Sequence, residues 1–368
     1  MRRGAMSLAV VTAALVLPVA AQAATYTVSA GAPRAAEMPA SFAQGLYDSD
    51  GYYPGSKKPV KIHVGDTVKF VGGFHTATFL GKATYASLFL IQPDTTGGVY
   101  PAMNDAAGVP FYFGGQPKFV YGPSLVPMGP KTVSNTSTTH NSGALFLAGN
   151  KGYALKFTKA GSYKFVCLIH PQMKGSVTVA PASAKVARPA AAARQGLADA
   201  NADVDEAIDA HLDRPNAVQD PKNAVMEVGA GNKRFSLFAF YPQAMSVKAG
   251  TTVTFKMGGP NEVHNVGFGP FAAQMEFLRL TDFFPQGPTD PNQLSPAFIY
   301  GTDPAVGGVY TYTGNTMHGN GLFATPVMDL DARSPLPSEV KVTVPNPGTY
   351  TLICQIHPNM VAMLDVHA

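Results

Sequence analysis

The sequence contains no tryptophan, few charged residues and only two cysteines. Charged residues make up 14% of the 368 positions, whereas glycine and proline account for 37 and 31 residues. This composition is typical of short strands joined by many turns. Of the 27 basic residues, Arg2 and Arg3 lie in an N-terminal segment that we expect to be removed, which leaves 25 basic against 23 acidic residues. The resulting net charge of +2 gives no electrostatic basis for binding nucleic acid or an anionic membrane.

Long apolar runs are absent except near the N terminus. Arg2 and Arg3 precede an apolar stretch over residues 8–19, and Ala-Gln-Ala at residues 21–23 forms a small-residue cleavage site. The run is shorter than the roughly 20 residues that a membrane-spanning helix needs. Residues 1–23 are therefore predicted to be a signal peptide cut after Ala23. The mature protein is expected to be periplasmic or secreted and to have no transmembrane segment.

The scarcity of cysteine is informative because Cys167 and Cys354 occupy the same position in a repeat. Residues 161–173 read GSYKFVCLIHPQM, and residues 348–360 read GTYTLICQIHPNM. A pair of cysteines in an exported protein would ordinarily form a disulfide. Equivalent positions in two separate domains rarely come within bonding distance, so the repeat predicts two free cysteines.

The similarity between the two halves extends upstream of the cysteines. GDTVKF at residues 65–70 matches GTTVTF at residues 250–255, and a histidine follows each, His75 and His264. His140 and His318 also correspond, in HNSGALF and HGNGLF. A repeat of this length indicates duplicated domains rather than a short solenoid repeat. The predicted domains are residues 24–180 and 224–368, separated by a linker over residues 181–223.

The linker changes composition and contains one helical pattern. Residues 181–193 are rich in alanine, and Pro189 is suited to the first turn of a helix. Four apolar residues then fall on one helical face: Leu197, Val204, Ile208 and Leu212. Two interpretations follow, a short amphipathic helix that ends before Pro215 and packs on a domain, or a mobile spacer.

Within each half the pattern favours strands. Tyr163, Phe165 and Cys167 alternate with more polar residues, and the second copy repeats this alternation. Two apolar runs flank Gly65-Asp66 and suggest a pair of strands joined as a hairpin. Many short strands between turns predict an all-β protein made of two β-sandwiches.

Each half also contains a complete set of potential copper ligands. The spacing Cys-x2-His-x2-Met, with a histidine from an early strand, supplies one thiolate, two imidazoles and a weak thioether, the ligands of blue copper sites. Structural zinc sites seldom use methionine. A buried cysteine beside a surface histidine and a core methionine would explain one copy, but the repetition favours metal binding. The predicted ligands are His75, Cys167, His170 and Met173 in site one, and His264, Cys354, His357 and Met360 in site two.

On these motifs both halves resemble the cupredoxins, the family of plastocyanin and amicyanin. The resemblance implies an eight-stranded Greek-key sandwich and one type 1 copper per domain. It also implies one-electron transfer between redox protein partners, with the second ligand histidine of each site, His170 and His357, as an exposed electron port. Two features depart from the family. About 90 residues separate the first histidine from the cysteine, and Met363 follows Met360, where we expect it to be a core residue.

Two other functions also use copper ligands of this kind: a copper oxidoreductase and a copper store or delivery protein. A multicopper oxidase or copper nitrite reductase normally has a histidine directly beside the ligand cysteine, where this chain has Val166 and Ile353. His140 and His318 are too few for a trinuclear cluster but could serve a copper at a domain or subunit interface. A copper store or delivery protein would show runs rich in methionine or histidine, whereas the 14 methionines are scattered. The sequence therefore favours a non-enzymatic carrier, and it is compatible with an oligomer.

Overall fold

The computed structural model describes most of the chain between residues 23 and 368. The described residues are 23–89, 91–94, 96–99, 103–104, 110–112, 115–281, 299–303, 305–314 and 321–368. The predicted signal peptide, except for its last residue, and His318 lie outside this part of the chain. Within it, no helix has the length and apolar character needed to cross a membrane.

The first half is built mostly of short strands. In chain order they are β1 (Thr25–Ala30), β2 (Tyr47–Ser49), β3 (Tyr52–Tyr53), β4 (Val60–His63), β5 (Thr67–Gly72), β6 (Thr78–Phe79), β7 (Ile91–Pro93), β8 (Met103–Asn104), β9 (Pro110–Tyr112), β10 (Phe119–Tyr121), β11 (Thr132–Val133), β12 (His140–Asn141), β13 (Tyr153–Phe157), β14 (Gly161–Val166) and β15 (Lys174–Ala180). Two helices of a single turn interrupt them, α1 (Tyr85–Leu88) and α2 (Leu145–Ala148). Further one-turn helical segments cover Phe42–Leu46, Pro123–Leu125 and Gly149–Lys151.

The linker and the second half contain the two longer helices. These are α3 (Pro189–Leu212) and α4 (Phe271–Thr281). The strands are β16 (Ala217–Gln219), β17 (Val225–Gly231), β18 (Phe235–Tyr241), β19 (Ala244–Lys248), β20 (Thr252–Met257), β21 (Gly267–Phe268), β22 (Val309–Thr311), β23 (Phe323–Ala324), β24 (Glu339–Thr343), β25 (Gly348–Ile353) and β26 (Val361–His367).

Two five-stranded sheets face each other in the first half. Their strand orders are β11-β13-β5-β1-β3 and β12-β6-β14-β15-β4. Alternate residues of each strand point inward, so Val28 and Phe70 of one sheet and Phe165 and Val177 of the other lie in one buried core. Strands far apart in sequence are neighbours, such as β1 with β5 and β4 with β15, and both of these pairs are parallel. The first half is thus a β-sandwich.

The second half has the same strand order. Its sheets run β22-β24-β20-β17-β18 and β23-β21-β25-β26-β19. In addition, β2 extends the first of these sheets beyond β18, and β16 extends the second beyond β19. Phe255 and Val342 from one sheet and Leu352 and Leu364 from the other form a second core. The predicted all-β class with two β-sandwiches is confirmed.

The predicted hairpin at Gly65-Asp66 is wrong, because β4 and β5 belong to opposite sheets. Gly65 has a φ of +97°, which an L side chain rarely adopts, and the turn carries the chain across the sandwich. The Asp66 carboxylate accepts hydrogen bonds from the backbone N–H of His63 at 2.8 Å and of Ala24 at 2.7 Å. These bonds stabilise the turn that carries the chain from one sheet to the other. A hairpin would instead have kept both strands in one sheet.

The linker helix α3 packs on strands of both halves, contacting β1 and β3 of the first and β18 of the second. Its buried face consists of Gly196, Ala200, Asp203, Val204 and Ala207. The predicted apolar face is only partly correct, because Leu212 is 72% exposed. Small residues dominate the buried face because the helix lies close to the backbone of the first half.

A buried carboxylate on α3 joins the two halves. Asp203 accepts a hydrogen bond from the Tyr53 hydroxyl at 2.7 Å and lies 2.8 Å from the Lys57 Nζ atom. From the second half, the Arg234 Nε atom donates to Asp203 at 2.7 Å. A buried carboxylate is costly unless it is paired, and here partners from both halves satisfy it.

The two sandwiches are also interlocked through β2. This strand lies within the predicted first domain but pairs with β18 of the second half, Tyr47 opposite Leu237 and Ser49 opposite Phe235. Tyr47, Leu237 and Phe235 share a small buried cluster with Phe42 and with Val204 of α3. The spatial boundary between the sandwiches therefore differs from a boundary drawn along the sequence.

Candidate metal centres

The first centre lies at one end of the first sandwich. Cys167 directly follows β14, and His75 lies just before β6, the strand hydrogen-bonded to β14. The Nδ1 atoms of His75 and His170 are 2.9 Å apart, and the Cys167 Sγ atom is 3.5 Å from the His170 Nδ1 atom. All three side chains are buried, and their ligand atoms lie within 4.8 Å of one another.

A tight turn brings the cysteine, second histidine and methionine of this centre together. The Met173 N–H donates to the His170 carbonyl at 3.1 Å, and the Cys167 N–H donates to the Met173 carbonyl at 3.0 Å. Met173 is fully buried in the first core. The short spacing in the sequence is therefore sufficient to place three of the predicted ligands on one turn.

The second centre repeats this geometry. The Cys354 Sγ atom is 3.5 Å from the His264 Nδ1 atom and 3.7 Å from the His357 Nδ1 atom, and the two nitrogens are 3.1 Å apart. The same turn is present, because the Met360 N–H donates to the His357 carbonyl at 2.8 Å and the Cys354 N–H to the Met360 carbonyl at 3.0 Å. Met360 is fully buried, and both cysteines are free, as predicted.

The donor atoms fit a single metal ion at each centre. Donors that share an ion at distances of about 2.0–2.3 Å lie at most roughly 4.6 Å apart. The donor separations given above, 2.9–3.7 Å, are within this limit. One sulfur and two imidazole nitrogens, buried and directed to one point, are suited to copper. The oxygen-rich ligand sets that magnesium and calcium prefer are absent from both triads.

Backbone groups near each cysteine hold the ligand loop. The N–H groups of Thr76 and Ile169 each lie 3.4 Å from the Cys167 Sγ atom, and the Thr76 hydroxyl accepts from the Leu168 N–H at 2.8 Å. In the second centre the Asn265 side chain accepts from the Gln355 N–H at 2.8 Å. Sequence reasoning missed these residues, although Thr76 and Asn265 each directly follow the upstream histidine.

A glycine lies behind the first histidine of each centre. Gly31 has a φ of +88°, and a Cβ there would lie 3.1 Å from the His75 Nε2 atom. Gly229 has a φ of +67°, and a Cβ there would overlap the His264 Nε2 atom. Each histidine ring is thus packed against the backbone of a glycine. A side chain at that glycine would push the ring out of its position.

Glu262 lies between the two centres. The His170 Nε2 atom is 3.0 Å from the Glu262 Oε1 atom, and the His357 Nε2 atom is 3.7 Å from Glu262 Oε2. The expected exposure of both histidines is wrong for His170, whose side chain is 1% exposed, whereas that of His357 is 18% exposed. Sequence reasoning missed Glu262, although it stands two residues before His264.

Glu262 also makes the metal-free centres electrostatically different. Burial alone would lower the pKa of His170, but the charges of Glu262 and Cys167 raise it well above its ordinary value. Burial likewise opposes ionisation of Cys167, yet the charge on His170 and hydrogen bonds from His170 and His75 lower the pKa of that thiol strongly. In the second centre burial dominates and raises the pKa of Cys354 to about 11. The first centre thus favours a thiolate–imidazolium pair and the second a neutral thiol.

Comparison with known proteins gives low similarities. No family model matches the chain, and no curated protein matches it. The solved structures that match include cupredoxins. Oxidised plastocyanin from Dryopteris crassirhizoma is 23% identical, covering 39% of this chain and 100% of its own, with a TM-score of 0.20.

Two further structures are similar at this level. The purple cupredoxin from Nitrosopumilus maritimus is 13% identical and covers 39% of this chain and 100% of its own, with a TM-score of 0.20. Auracyanin from Roseiflexus castenholzii is 17% identical and covers 40% of this chain and 99% of its own, with a TM-score of 0.23. At such identities and scores, the function proposed for this chain rests on its own side chains.

A third group of potential ligands adjoins the first centre. It consists of Asp48, Asp50, Glu262 and His170. The Asp50 Oδ1 atom is 3.8 Å from the His170 Nδ1 atom, and the Oδ2 atom accepts a hydrogen bond from the Ser236 hydroxyl at 2.7 Å. Burial raises the pKa of Asp50 to about 7, with the charge on His170 opposing the shift. The group has a single histidine, which also belongs to the first centre.

His140 is not part of either centre. It is buried, its Nδ1 atom lies 2.8 Å from the Pro130 carbonyl oxygen, and its ring packs edge-on to Phe79. Among the described residues it belongs to no cluster of potential ligands. Met363, expected in the core, is 39% exposed because it points outward from β26, an alternating strand.

A cavity of about 500 Å³ opens between the two sandwiches beside the second centre. Its lining includes Phe74, Phe119 and Phe238, together with Glu262 and His357. The Phe238 ring stacks on the His357 imidazole with 4.1 Å between centroids. The described lining does not include His170. The cavity therefore reaches the second centre through His357.

Proposed function

We propose that this protein is an exported, two-domain blue copper protein that carries single electrons between redox protein partners. The observation that carries the proposal is the buried triangle of two Nδ1 atoms and one Sγ atom, which occurs once in each half. One type 1 copper is assigned to each domain. The ligands are His75, Cys167, His170 and Met173 in site one, and His264, Cys354, His357 and Met360 in site two.

The side chains are suited to this role because they are already in place. Bound copper supplies a one-electron couple, and thiolate and imidazole ligands accommodate both of its oxidation states. The Cys167 sulfur is held by two backbone N–H groups, and both ligand loops are closed by backbone hydrogen bonds. Because the packed cores enclose the ligands, the ligands cannot easily move when the oxidation state of the metal changes. A large movement of this kind would slow electron exchange.

The oxidoreductase alternative requires an additional copper with its own histidines. In the described part of the chain the third group of potential ligands has one histidine, His170, which is shared with site one. A storage or delivery role requires ligands accessible to a partner, whereas five of the six triad side chains are buried and His357 is only 18% exposed. These observations favour the carrier. Export to the periplasm or outside the cell is part of the proposal and rests on the N-terminal sequence.

The first prediction tests the two sites separately. The mature protein should bind two coppers per chain and show the intense visible absorption and paramagnetic resonance of a blue centre. Cys167→Ser and Cys354→Ser should each remove one copper and leave the other centre unchanged, because each thiolate belongs to one triad. Each variant serves as the control for the other, with copper counted by elemental analysis.

Three outcomes would change this assignment. A protein that stays colourless after copper loading and oxidation would rule it out. Loss of both centres in one variant would show that the sites are not independent. A third, colourless copper would instead support the oxidoreductase alternative.

A further inference from the structure

The imidazoles of the two centres turn toward one carboxylate. His170 and His357 direct their Nδ1 atoms at their own cysteines and their Nε2 atoms at opposite oxygens of Glu262. The separations are 3.0 Å from His170 and 3.7 Å from His357. A histidine that ligates a metal through one nitrogen usually donates its other N–H to a carboxylate, carbonyl or water. Here one carboxylate lies close to the Nε2 atoms of two ligand histidines, one from each domain, so its negative charge faces both imidazoles.

The loop that carries Glu262 is fastened to the ligand loop of the first centre. The Asn261 side chain accepts a hydrogen bond from the Gln172 N–H at 2.9 Å and donates to the Asn232 carbonyl at 3.1 Å. Gln172 stands between His170 and Met173 in the first ligand turn. Since this loop belongs to the second domain, its position relative to His170 is set by the contact between the domains.

The two histidines differ in access to solvent. His170 is enclosed by the second domain, whereas the edge of His357 contributes to the wall of the cavity. His75 and Cys167 are also buried, although His75, at 2% exposure, contributes to the wall of a second cavity. The side chain of His357 is 18% exposed, so an external electron donor approaches a ligand of site two more closely than any ligand of site one.

We propose that Glu262 joins the two copper sites into one relay. An electron enters site two at His357 and passes through the Glu262 carboxylate and His170 to site one. Site two is oxidised by one electron as site one is reduced by one, and no proton needs to leave either imidazole. The inference rests on the function proposed above and adds a direction to it. Glu262 acts as a positioning residue.

The test uses Glu262→Gln in the copper-loaded protein, reduced by excess ascorbate in a stopped-flow instrument. Glutamine keeps the shape of the side chain but removes the negative charge that faces both imidazoles. In the parent protein the visible absorption should bleach in one phase. In the variant it should split into two phases of equal amplitude, the slower reduced by at least about tenfold, equivalent to about 1.4 kcal/mol of activation free energy.

Variants that retain a single copper site give a second test of the relay, through their rates of reduction. Cys354→Ser retains only site one, and its reduction should be at least about tenfold slower than that of Cys167→Ser, about 1.4 kcal/mol in activation free energy. Equal rates in these two variants would overturn the relay and indicate an independent entry near His75. Single-phase bleaching of Glu262→Gln at the parent rate would also overturn it.

Reduction potentials separate this role from a purely structural one. A negative charge beside a ligand imidazole favours the oxidised metal, which carries one more positive charge than the reduced metal. Glu262→Gln should therefore raise both potentials, a change that loosened domain packing would not produce in both sites together. Glu339→Gln, an exposed carboxylate on β24, is the matched control and should alter neither potentials nor phases.

The failures of the two proposals are distinguishable. If the parent protein binds no copper at either triad, the proposed function fails. If it binds two blue coppers but Glu262→Gln changes neither the phases nor the potentials, the relay alone fails.

Discussion

At the scale of single residues, each metal centre depends on a neighbouring glycine as well as on its ligands. Gly31 and Gly229 lie against the Nε2 edges of His75 and His264 with positive φ angles. A histidine ring can direct its Nδ1 atom at the cysteine only if its opposite edge has space. The backbone of each glycine thus fixes the direction of a ligand that lies elsewhere in the chain.

We therefore predict that Gly229→Ala damages site two and spares site one. The added Cβ would overlap the His264 ring, so copper bound per chain should fall from two towards one, measured by elemental analysis and paramagnetic resonance. Gly250→Ala is the matched control, because Gly250 has a φ of +84° and open space around it. Both variants incur the backbone strain of roughly 1–2 kcal/mol, but only the first touches a ligand. Full copper content in Gly229→Ala would contradict this role of Gly229.

At the scale of elements, α3 contacts both halves of the protein, and its buried face lies very close to the backbone of the first half. A Cβ at Gly196 would lie 2.6 Å from the Pro54 backbone nitrogen, so the helix and the end of β3 are nearly in contact. Asp203, two turns further along, pairs with residues of both halves. The helix pattern in the sequence predicted an element here, but the residues that dominate its contacts are small or charged rather than large and apolar.

Gly196→Ala should accordingly destabilise the protein, although alanine normally stabilises a helix by about 1 kcal/mol relative to glycine. The extra methyl group would push α3 from the first sandwich, and overpacking of this kind costs roughly 1–3 kcal/mol. The free energy of unfolding in urea measures the effect. Ala198→Gly, at an exposed position of the same helix, is the control and should lose about 1 kcal/mol through helix propensity alone. Increased stability of Gly196→Ala would show that α3 does not approach β3 so closely.

At the scale of the whole molecule, the two sandwiches are interdependent. The second sandwich receives β2 from the first half and β16 from the linker at its sheet edges. Phe235, Leu237 and Tyr241 are buried against residues of the first half and α3. Docking also encloses His170 and positions Glu262, so the environment of site one is completed by the second domain.

A chain truncated to residues 224–368 should therefore be less stable than residues 24–368 and should self-associate. It would expose the β18 edge and the apolar side chains that β2 and α3 cover, and uncovered edges and apolar patches favour association. Size-exclusion chromatography and thermal unfolding with residues 24–368 as the reference measure this effect. A monomeric fragment with an unchanged melting temperature would contradict the interdependence.

Much of each candidate centre was accessible from the sequence because it is local. Cys167, His170 and Met173 fall on one turn, and their spacing implies their proximity before any fold is known. The upstream histidines were found through the repeat. The hairpin at Gly65 was mispredicted because two adjacent apolar runs do not reveal whether the turn between them stays in one sheet or crosses to the other. The extent of α3 contacts was missed because glycine and alanine carry little hydrophobic signal.

The sequence by itself determined the strand-rich class and the repeated motif, and it predicted the candidate donor atoms, since these depend on residue types at short or repeated spacing. Only the tertiary structure decided that β2 crosses to the other sandwich, that His170 is enclosed, and that Glu262 lies between two imidazoles. Such contacts depend on the orientation in which two folded domains dock. That orientation is a property of complementary surfaces, and no local pattern along the chain encodes it.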